Sequence, residues 1–498
     1  MKRSNLLVRS PPPSRHPNCR RYSSSGDTPL RPKCLASLVR RSTAETIPKI
    51  LRSRPATDFT PSLASETLKL LWNDSQKSLL LFESLVATHP TSLSLASFNL
   101  AIDVAARSRQ FSAVTSMICR MRSMGINPTL RTFSIVMERY VLAGKPERAI
   151  KVFTFMHEYG CPQDLHAFNT LLDVLCKAKR VEMAWDRVFK VFARRFAADR
   201  VSYNIIANGW CLVKRVGKAL EILKVMLRKG IEPSSSTYNV VLKGFFRAGQ
   251  VEEGWKFFLE MKKRKCGVDI VSYTTVVHGL GVAGEVGRAQ KVFDEMAKVG
   301  ILPSVATYNA LIQVLCKKDS VKNAISVFNE MRRKGYTPNV TTYNLLIRGL
   351  CHAGHRDRAM EYMESMKKED CDDNTQDDGD GSRPNVQTYN LLIRYFCDAG
   401  EIERAMSSFE EMNRGDYCLP NLDTYNILIS SMFVRKRSED LIVAGKLLVE
   451  MVERGFRPRR FAFNRVLNGL LLTGNQGFAQ EILRMQSKFS HLPRQFKL

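Results

Sequence analysis

The stretch VTTYNLLIRGLCHAG, residues 340–354, closely resembles VATYNALIQVLCKKD, residues 305–319, which lies 35 residues earlier in the chain. In the later stretch the apolar residues fall at the spacing of one helix face: Tyr343, Leu346, Ile347, Leu350 and Cys351. This spacing predicts an amphipathic helix. Gly354 follows, and glycine ends a helix readily because it tolerates left-handed backbone.

A signature of a hydroxyl or small residue, an aromatic residue and a polar residue recurs along most of the chain. The polar residue is Asn99, Ser134, Asn169, Asn204, Asn239, Thr274, Asn309, Asn344, Asn390, Asn426 and Asn464. The first seven intervals are 35 residues each, and the last three are 46, 36 and 38. A fixed period of this length indicates a repeat architecture.

Each repeat contains two helical patterns. After Gly354 a second apolar stripe contains Ala359, Tyr362, Met363 and Met366. A Gly-x-x-Pro turn, such as residues 335–338, leads into the next repeat. Neither helix can bury its stripe alone, so neighbouring repeats must stack. The sequence predicts an all-α fold, an α-solenoid superhelix of about 11–12 helix-turn-helix repeats of 35 residues.

The repeats set the expected domain boundaries. Eleven repeats, numbered here 1 to 11, span 95–494 and start at 95, 130, 165, 200, 235, 270, 305, 340, 386, 422 and 460. A degenerate repeat is expected over 60–94 and a disordered linker over 23–59. An acidic stretch at 369–384 lengthens repeat 8 and predicts a solvated loop.

The amino-terminal leader is rich in Arg and Ser, poor in acidic residues and without an apolar centre. This composition is typical of an organelle transit peptide. Arg20, Arg21 and Tyr22 followed by Ser23 resemble a mitochondrial processing pattern, which predicts a transit peptide over 1–22 with cleavage after Tyr22. A chloroplast address and a basic disordered tail are the alternatives.

The chain has a formal net charge of +28 and a pI near 9.8. Such an excess favours a polyanionic partner, either nucleic acid or an anionic membrane surface. No apolar run is long enough to predict a membrane span.

The cysteines are predicted to be reduced. None of the twelve forms a CxxC pair, and five share one apolar place in the repeat: Cys176, Cys211, Cys316, Cys351 and Cys397. Cys351, His352 and His355 lack a fourth ligand, so no metal site is expected. No catalytic motif is found, and we expect neither an enzyme nor a cofactor nor a small-molecule substrate.

Two pairs of motifs carry a family resemblance. TYNALIQVLCKK with AISVFNEMRRKGYTPN, and TYNVVLKGFFRAG with FFLEMKK, resemble the pentatricopeptide repeat family, in its plain-repeat P-class of plant organellar RNA-binding proteins. A tetratricopeptide array, the nearest rival, has a 34-residue period and a Trp-Leu-Gly-Tyr pattern that is absent here. The resemblance implies binding of single-stranded organellar RNA at about one base per repeat.

In the family, the fifth residue of a repeat faces a base and the last residue before the next repeat assists it. Carried over, the pairs are Ser134 with Asp164 for G; Asn169 with Asp199 and Asn239 with Asp269 for U; Asn204 with Ser234 for C; Thr274 with Ser304 for a purine, first A; and Asn309 with Asn339, Asn344 with Asn385, and Asn390 with Asn421 for a pyrimidine. The implied core is G-U-C-U-A-Y-Y-Y, read 5′ to 3′.

The flanking repeats depart from this pattern. Asn99 with Thr129, Asn426 with Arg459, and Asn464 with Arg494 imply only weak pyrimidine preferences. Val201 and Val271, at the second position, are expected to wedge between bases. Basic residues near the ends of first helices are candidate phosphate contacts: Lys177, Lys214, Lys317 and Lys318.

The resemblance implies a role in organellar RNA processing, by intron splicing, transcript stabilisation or translation, with splicing the first choice on family grounds. Other RNA-processing factors are expected as further partners. The alternative is an α-solenoid scaffold, for example a mitoribosome-associated factor, that binds proteins and reads no bases.

Overall fold

The computed structural model describes residues 31–489, except 73, 265, 318–319, 369–382, 415–417, 434–436, 455 and 457. The predicted transit peptide, its cleavage after Tyr22 and nearly all of the acidic stretch lie outside the described residues. Regular structure is entirely helical in the described residues, so the predicted all-α repeat fold is confirmed. The chain forms two compact units, Met1–Val104 and Ala105–Leu498, whose boundary falls within the helix Leu95–Arg107.

The first unit contains four helices before the boundary. They are Pro32–Arg41, Thr46–Arg52, Pro61–Leu70 and Ser75–Thr88, with single 3₁₀ turns at Ala56–Asp58 and Pro90–Ser92. The first helix packs on the third and the second on the fourth.

The disordered linker expected over 23–59 is wrong for residues 31–59. Leu35, Val39 and Leu51 are almost fully buried there. These apolar residues form short stripes that a high density of Arg and Lys concealed in the sequence. The side chains become a core only because the following helix pair covers them.

The remaining helices alternate between a first and a second helix of each repeat. The first helices are Leu95–Arg107, Leu130–Leu142, Leu165–Lys177, Arg200–Leu212, Ser235–Ala248, Ile270–Val282, Val305–Lys317, Val340–His352, Val386–Asp398, Leu422–Met432 and Arg460–Leu472. The second helices are Phe111–Ser123, Pro146–Phe155 with a 3₁₀ turn at Met156–Tyr159, Val216–Arg228, Val251–Lys263, Val286–Lys298, Val321–Arg333, Arg356–Lys368, Ile402–Arg414, Ser438–Glu453 and Gln476–Phe489.

Repeat 3 has a different second helix. It begins with one α-turn at Val181–Met183, continues as a π-helix at Ala184–Phe189 and ends with an α-turn at Lys190–Phe192. Trp185 stacks on Phe189 in this segment, with ring centroids 4.9 Å apart. Such π-helical turns are rare and occur mostly as single-turn bulges within α-helices.

From repeat 2 onward, each first helix packs against its own second helix and against the first helix of the next repeat. The aromatic residue at the fourth position is the largest core side chain; Tyr203, Tyr273, Tyr308, Tyr343 and Tyr425 are almost completely buried. We call the contact between consecutive first helices a joint. No described helix is both long and apolar enough to cross a membrane.

Small residues allow close approach at several joints. A Cβ placed on Gly209 would lie 2.6 Å from Cys176 Sγ of the preceding repeat. The same clash would arise between Gly244 and Cys211, and between Gly349 and Cys316. Cys176, Cys211 and Cys316 therefore fill the space left by a glycine one repeat later, which accounts for their apolar place in the sequence.

Candidate nucleic-acid interface

One face of each first helix is left open by this packing. In repeat 8, for example, Thr342 and Tyr343 at the third and fourth positions are buried, while Thr341 at the second is exposed and Asn344 at the fifth is half-buried. The second, fifth and ninth positions share one helix face. Around repeats 2 and 3 these positions line a common cleft, with Ser134 and Glu138 on one side and Asp173 on the other.

The last residue of a repeat caps the next first helix. The side chain of Asp199 accepts the backbone N–H of Ser202, and Asp269 and Asn339 accept those of Ser272 and Thr342 in the same way. The hydroxyl at the third position accepts the cap's own N–H in return, which completes a capping box. Helix capping thus holds these three predicted assisting residues beside the open face, whereas Arg459 makes no side-chain cap.

At four joints the capping residue, the third-position hydroxyl and the fifth-position Asn come together. The hydroxyl donates to the Asn Oδ1 of the preceding repeat: Ser202 to Asn169 at 2.7 Å, Ser272 to Asn239 at 2.6 Å, Thr342 to Asn309 at 2.7 Å and Thr424 to Asn390 at 2.6 Å. The Asn Nδ2 lies near the capping side chain, 3.0 Å from Asp269, 3.4 Å from Asn339 and 3.3 Å from Asn421. We call each such set a reader triad.

Two of the capping residues are carboxylates with perturbed acidity. Burial alone would raise the pKa of Asp269, but the N–H and hydroxyl of Ser272 and the amide of Asn239 outweigh it and hold the pKa below its usual value. The pKa of Asp199 is lowered for the same reasons by Ser202 and Asn169. Both acids therefore present a charged acceptor at neutral pH.

Asn204 and Asn344 lack the contact from the next hydroxyl. The buried Oδ1 atom of each has no hydrogen-bond partner among the residues that the structure describes. The hydroxyl of Ser234, which caps the helix after Asn204, is hydrogen-bonded to the hydroxyl of Ser236 at 2.8 Å. Thr388, which follows Asn344, donates to Asn385 at 3.2 Å.

The other predicted readers have different surroundings. Thr274 lies 2.7 Å from the hydroxyl of Thr307, which also contacts Ser304 at 3.0 Å. Ser134 donates to the carbonyl of Arg131, and Asp164 accepts the N–H of Ala167, which has no hydroxyl to offer. The structure therefore brings these readers to the open face without a triad.

At the ends of the array fewer of the predicted pairs are described. Asn99 belongs to the first unit and Thr129 to the second. Asn464 is exposed, but Arg494 lies outside the described residues. Neither Asn426 nor Arg459 takes part in a triad, because the third residue of repeat 11 is alanine.

The second position shows what could contact bases from the side. Val201 and Val271, the predicted wedges, are 53% and 56% exposed. Sequence reasoning missed Phe461 at the same position in repeat 11, which is 74% exposed and has the Arg465 guanidinium 6.0 Å from its ring centroid. The sequence signal that could have identified Phe461 was an aromatic residue at the second position of its repeat.

Charge on the open face changes along the array. The ninth residue is Glu138 in repeat 2 and Asp173 in repeat 3, but Lys243, Arg348 and Arg394 in repeats 5, 8 and 9. In repeat 6 it is His278, whose pKa is lowered by partial desolvation and by the nearby Lys317 and Lys243.

The four lysines predicted to contact phosphates differ in their surroundings. Lys317 lines a cleft with Arg348 and His352. Lys177 is paired with Asp173 at 2.6 Å. Lys214 occupies the turn between helices, and Lys318 lies outside the described residues.

The recurring cysteines are buried free thiols, and burial raises the pKa of Cys176, Cys211, Cys316 and Cys351 to about 12. They are therefore protonated and unreactive at neutral pH. Within the described part of the chain no group of three or more His, Cys, Asp or Glu is placed to hold a metal.

These features define a class of protein, an α-solenoid of 35-residue helix pairs whose stacked first helices present a row of amide, hydroxyl and carboxylate side chains. Family comparison gives the particular family. The PPR repeat family model matches residues 198–247, 234–281, 268–317, 303–352, 338–376 and 384–433, and the PPR repeat model matches 131–161 and 166–187. The chain belongs to the pentatricopeptide repeat family.

Relatives extend this likeness over nearly the whole chain. A mitochondrial pentatricopeptide repeat-containing protein of Arabidopsis thaliana is 65% identical over 452 residues, which cover 90% of this chain and 91% of the relative. A second mitochondrial member from Arabidopsis thaliana is 36% identical over 110 residues, 22% of this chain and 21% of its own. The first relative confirms the mitochondrial localisation predicted from the leader.

Among solved structures, the maize pentatricopeptide repeat protein PPR10 covers 93% of this chain and 84% of its own at 18% identity and a TM-score of 0.32. A structure of PPR10 in complex with an 18-nucleotide psaJ RNA element covers 92% of this chain and 74% of its own, at 21% identity and a TM-score of 0.35.

Proposed function

We propose that this protein binds single-stranded mitochondrial RNA in a sequence-specific way and acts, without catalysing a reaction itself, in RNA processing. The reader triad carries the proposal, because the same polar set stands at the open face of four joints, one in every second repeat from repeat 3 to repeat 9. Membership of the family supports RNA as the ligand, and so do the relatives, one of which has been solved with RNA.

The triads have the chemistry to distinguish bases. Within a triad the Asn Oδ1 and one amide hydrogen are already used, so one N–H donor of the Asn remains for a base. The free carboxylate oxygen of Asp199 or Asp269 adds an acceptor. This donor and acceptor complement a carbonyl oxygen and the N3–H of uracil, and cytosine has no N3–H to donate.

Where the cap is an Asn, as at Asn339 and Asn421, the joint offers amide groups on both sides, which suits a pyrimidine edge. Repeats 2 to 9 then select G-U-C-U-A-Y-Y-Y, at one base per repeat. Among splicing, transcript stabilisation and translation, splicing remains our first choice on family grounds.

The test compares binding of the G-U-C-U-A-Y-Y-Y oligonucleotide with binding of its complement in a gel-shift titration. We expect a large preference for the first. Equal affinities would instead favour a scaffold that binds proteins and reads no bases.

A double change, Asn169→Thr with Asn239→Thr, tests the register. We expect preference at the second and fourth nucleotides to move from U toward purines. An unchanged profile would show that other residues read these bases.

A further inference from the structure

Three consecutive joints have the same predicted reading residues but different hydrogen bonding. Repeats 7, 8 and 9 each pair a fifth-position Asn with a capping Asn: Asn309 with Asn339, Asn344 with Asn385, and Asn390 with Asn421. Each is followed by a fully buried threonine at the third position of the next repeat: Thr342, Thr388 and Thr424. Any rule that considers only the two Asn residues assigns all three joints the same base preference.

The threonine hydroxyls divide the three joints into two kinds. Thr342 donates to Asn309 Oδ1 at 2.7 Å and Thr424 donates to Asn390 Oδ1 at 2.6 Å. All three hydroxyls also lie within hydrogen-bond distance of their own caps, at 3.0 Å from Asn339, 3.2 Å from Asn385 and 3.0 Å from Asn421, but only Thr388 makes no described contact with its reader. Asn344 Oδ1 is buried, with no hydrogen-bond partner among the described residues.

This difference changes what a base would meet. An amide can present either its oxygen or its NH₂ group after a half-turn of its last torsion angle, and the two choices have opposite hydrogen-bonding character. When the hydroxyl donates to Oδ1, the amide oxygen must face the next repeat. The NH₂ group is then held beside the cap and toward the open face.

Repeat 8 also has the longest spacing to the repeat that follows it. Asn344 and Asn390 are 46 residues apart because the acidic stretch is inserted between them. At its far end Asn385 is exposed, and its Oδ1 accepts the N–H groups of both Gln387 and Thr388.

We propose that the third-position hydroxyl of the following repeat is a positioning residue for base selection: it fixes the amide of the reader Asn, and repeat 8, which lacks this contact, discriminates between bases less than repeats 7 and 9. The proposal rests on the RNA-reading function proposed above. Asn204 Oδ1 is also buried without a described partner, and the Nδ2 of that residue lies 3.4 Å from the Ser236 hydroxyl.

Wild-type protein provides the first test, since the reading residues of repeats 7 to 9 are identical. Oligonucleotides that vary one nucleotide at a time across G-U-C-U-A-Y-Y-Y are titrated at constant salt. We expect pyrimidines to be preferred over purines about fivefold more strongly at the sixth and eighth nucleotides than at the seventh, the equivalent of one net hydrogen bond. Equal preference at the three positions would overturn the proposal.

Matched variants provide the second test. Thr342→Val and Thr388→Val remove the same buried hydroxyl and the same capping contact, but only Thr342 touches a reader. We expect Thr342→Val to lower discrimination at the sixth nucleotide about fivefold and Thr388→Val to leave the seventh unchanged. Thr342→Ser, which keeps the hydroxyl, should retain wild-type discrimination.

The controls separate the possible failures. Thermal melting of the two valine variants checks that both fold and lose similar stability. Wild-type protein without base preference at any nucleotide would refute the proposed function. Wild-type preference that survives Thr342→Val would refute only the positioning role.

Discussion

At the scale of single residues, the turn between the two helices of a repeat is the clearest site of backbone strain. The fifteenth residue has left-handed backbone throughout the described turns. It is glycine at Gly144, Gly249, Gly284, Gly354, Gly400 and Gly474, but Arg109, Lys179 and Lys214 have φ of about 61° to 62°. A side chain at this φ is disfavoured, whereas glycine adopts it freely.

We expect Lys214→Gly to stabilise the protein by about 1 kcal/mol, because it relieves this strain. The reverse change, Gly354→Lys, should cost a similar amount, since a Cβ on Gly354 would meet no atom within 4 Å and only the backbone is affected. Urea unfolding followed by circular dichroism measures both. Destabilisation by Lys214→Gly would show that the lysine makes contacts worth more than the strain.

Sequence reasoning identified two of the three residues of a reader triad and missed the role of the third. The fifth-position Asn and the capping residue were found because the period aligns them. The third-position hydroxyl was visible in the same signature, but its role was missed because its partner lies 33 residues earlier in the chain. Asn239, for example, is the partner of Ser272. Only the stacking of first helices brings these side chains together.

At the scale of helices, the volumes of facing residues are complementary at the joints. Phe246 faces Gly279, and one joint later Gly281 faces Val314. Large and small residues exchange sides while the space filled stays similar, as close packing requires. The apolar periodicity predicted the helices themselves because it is local, but this complementarity joins residues a repeat apart.

We expect Gly281→Ala to destabilise the protein by about 2 kcal/mol, because its Cβ would overlap Val314. Adding Val314→Ala should recover part of the loss, and a double-mutant cycle measures the coupling. The matched control is Gly287→Ala, in a second helix where a Cβ would meet nothing within 4 Å. That change should be stabilising through helix propensity alone. Additive effects at 281 and 314 would contradict direct packing.

At the scale of the whole molecule, the ninth-position charges predict where RNA phosphates contribute most to binding. We expect Arg348→Gln to weaken RNA binding and to reduce the slope of log affinity against log salt by about 0.7, the value for one phosphate contact on a single strand. Arg358→Gln removes the same charge from a second helix and should change neither. A salt titration of both variants provides the measurement. If Arg348→Gln had the same slope as Arg358→Gln, the phosphates would contact other residues.

The reader triad also affects how such a protein can be rearranged. Its three side chains belong to two repeats, as Asn309 and Asn339 belong to repeat 7 and Thr342 to repeat 8. A gene duplication or a designed exchange that cuts between repeats would therefore separate a reader from its hydroxyl. A 35-residue cassette cut after the third position, such as one ending at Thr342, would transfer each set whole. The segment that must be exchanged to keep a complete triad is therefore offset by three residues from the helix-pair repeat.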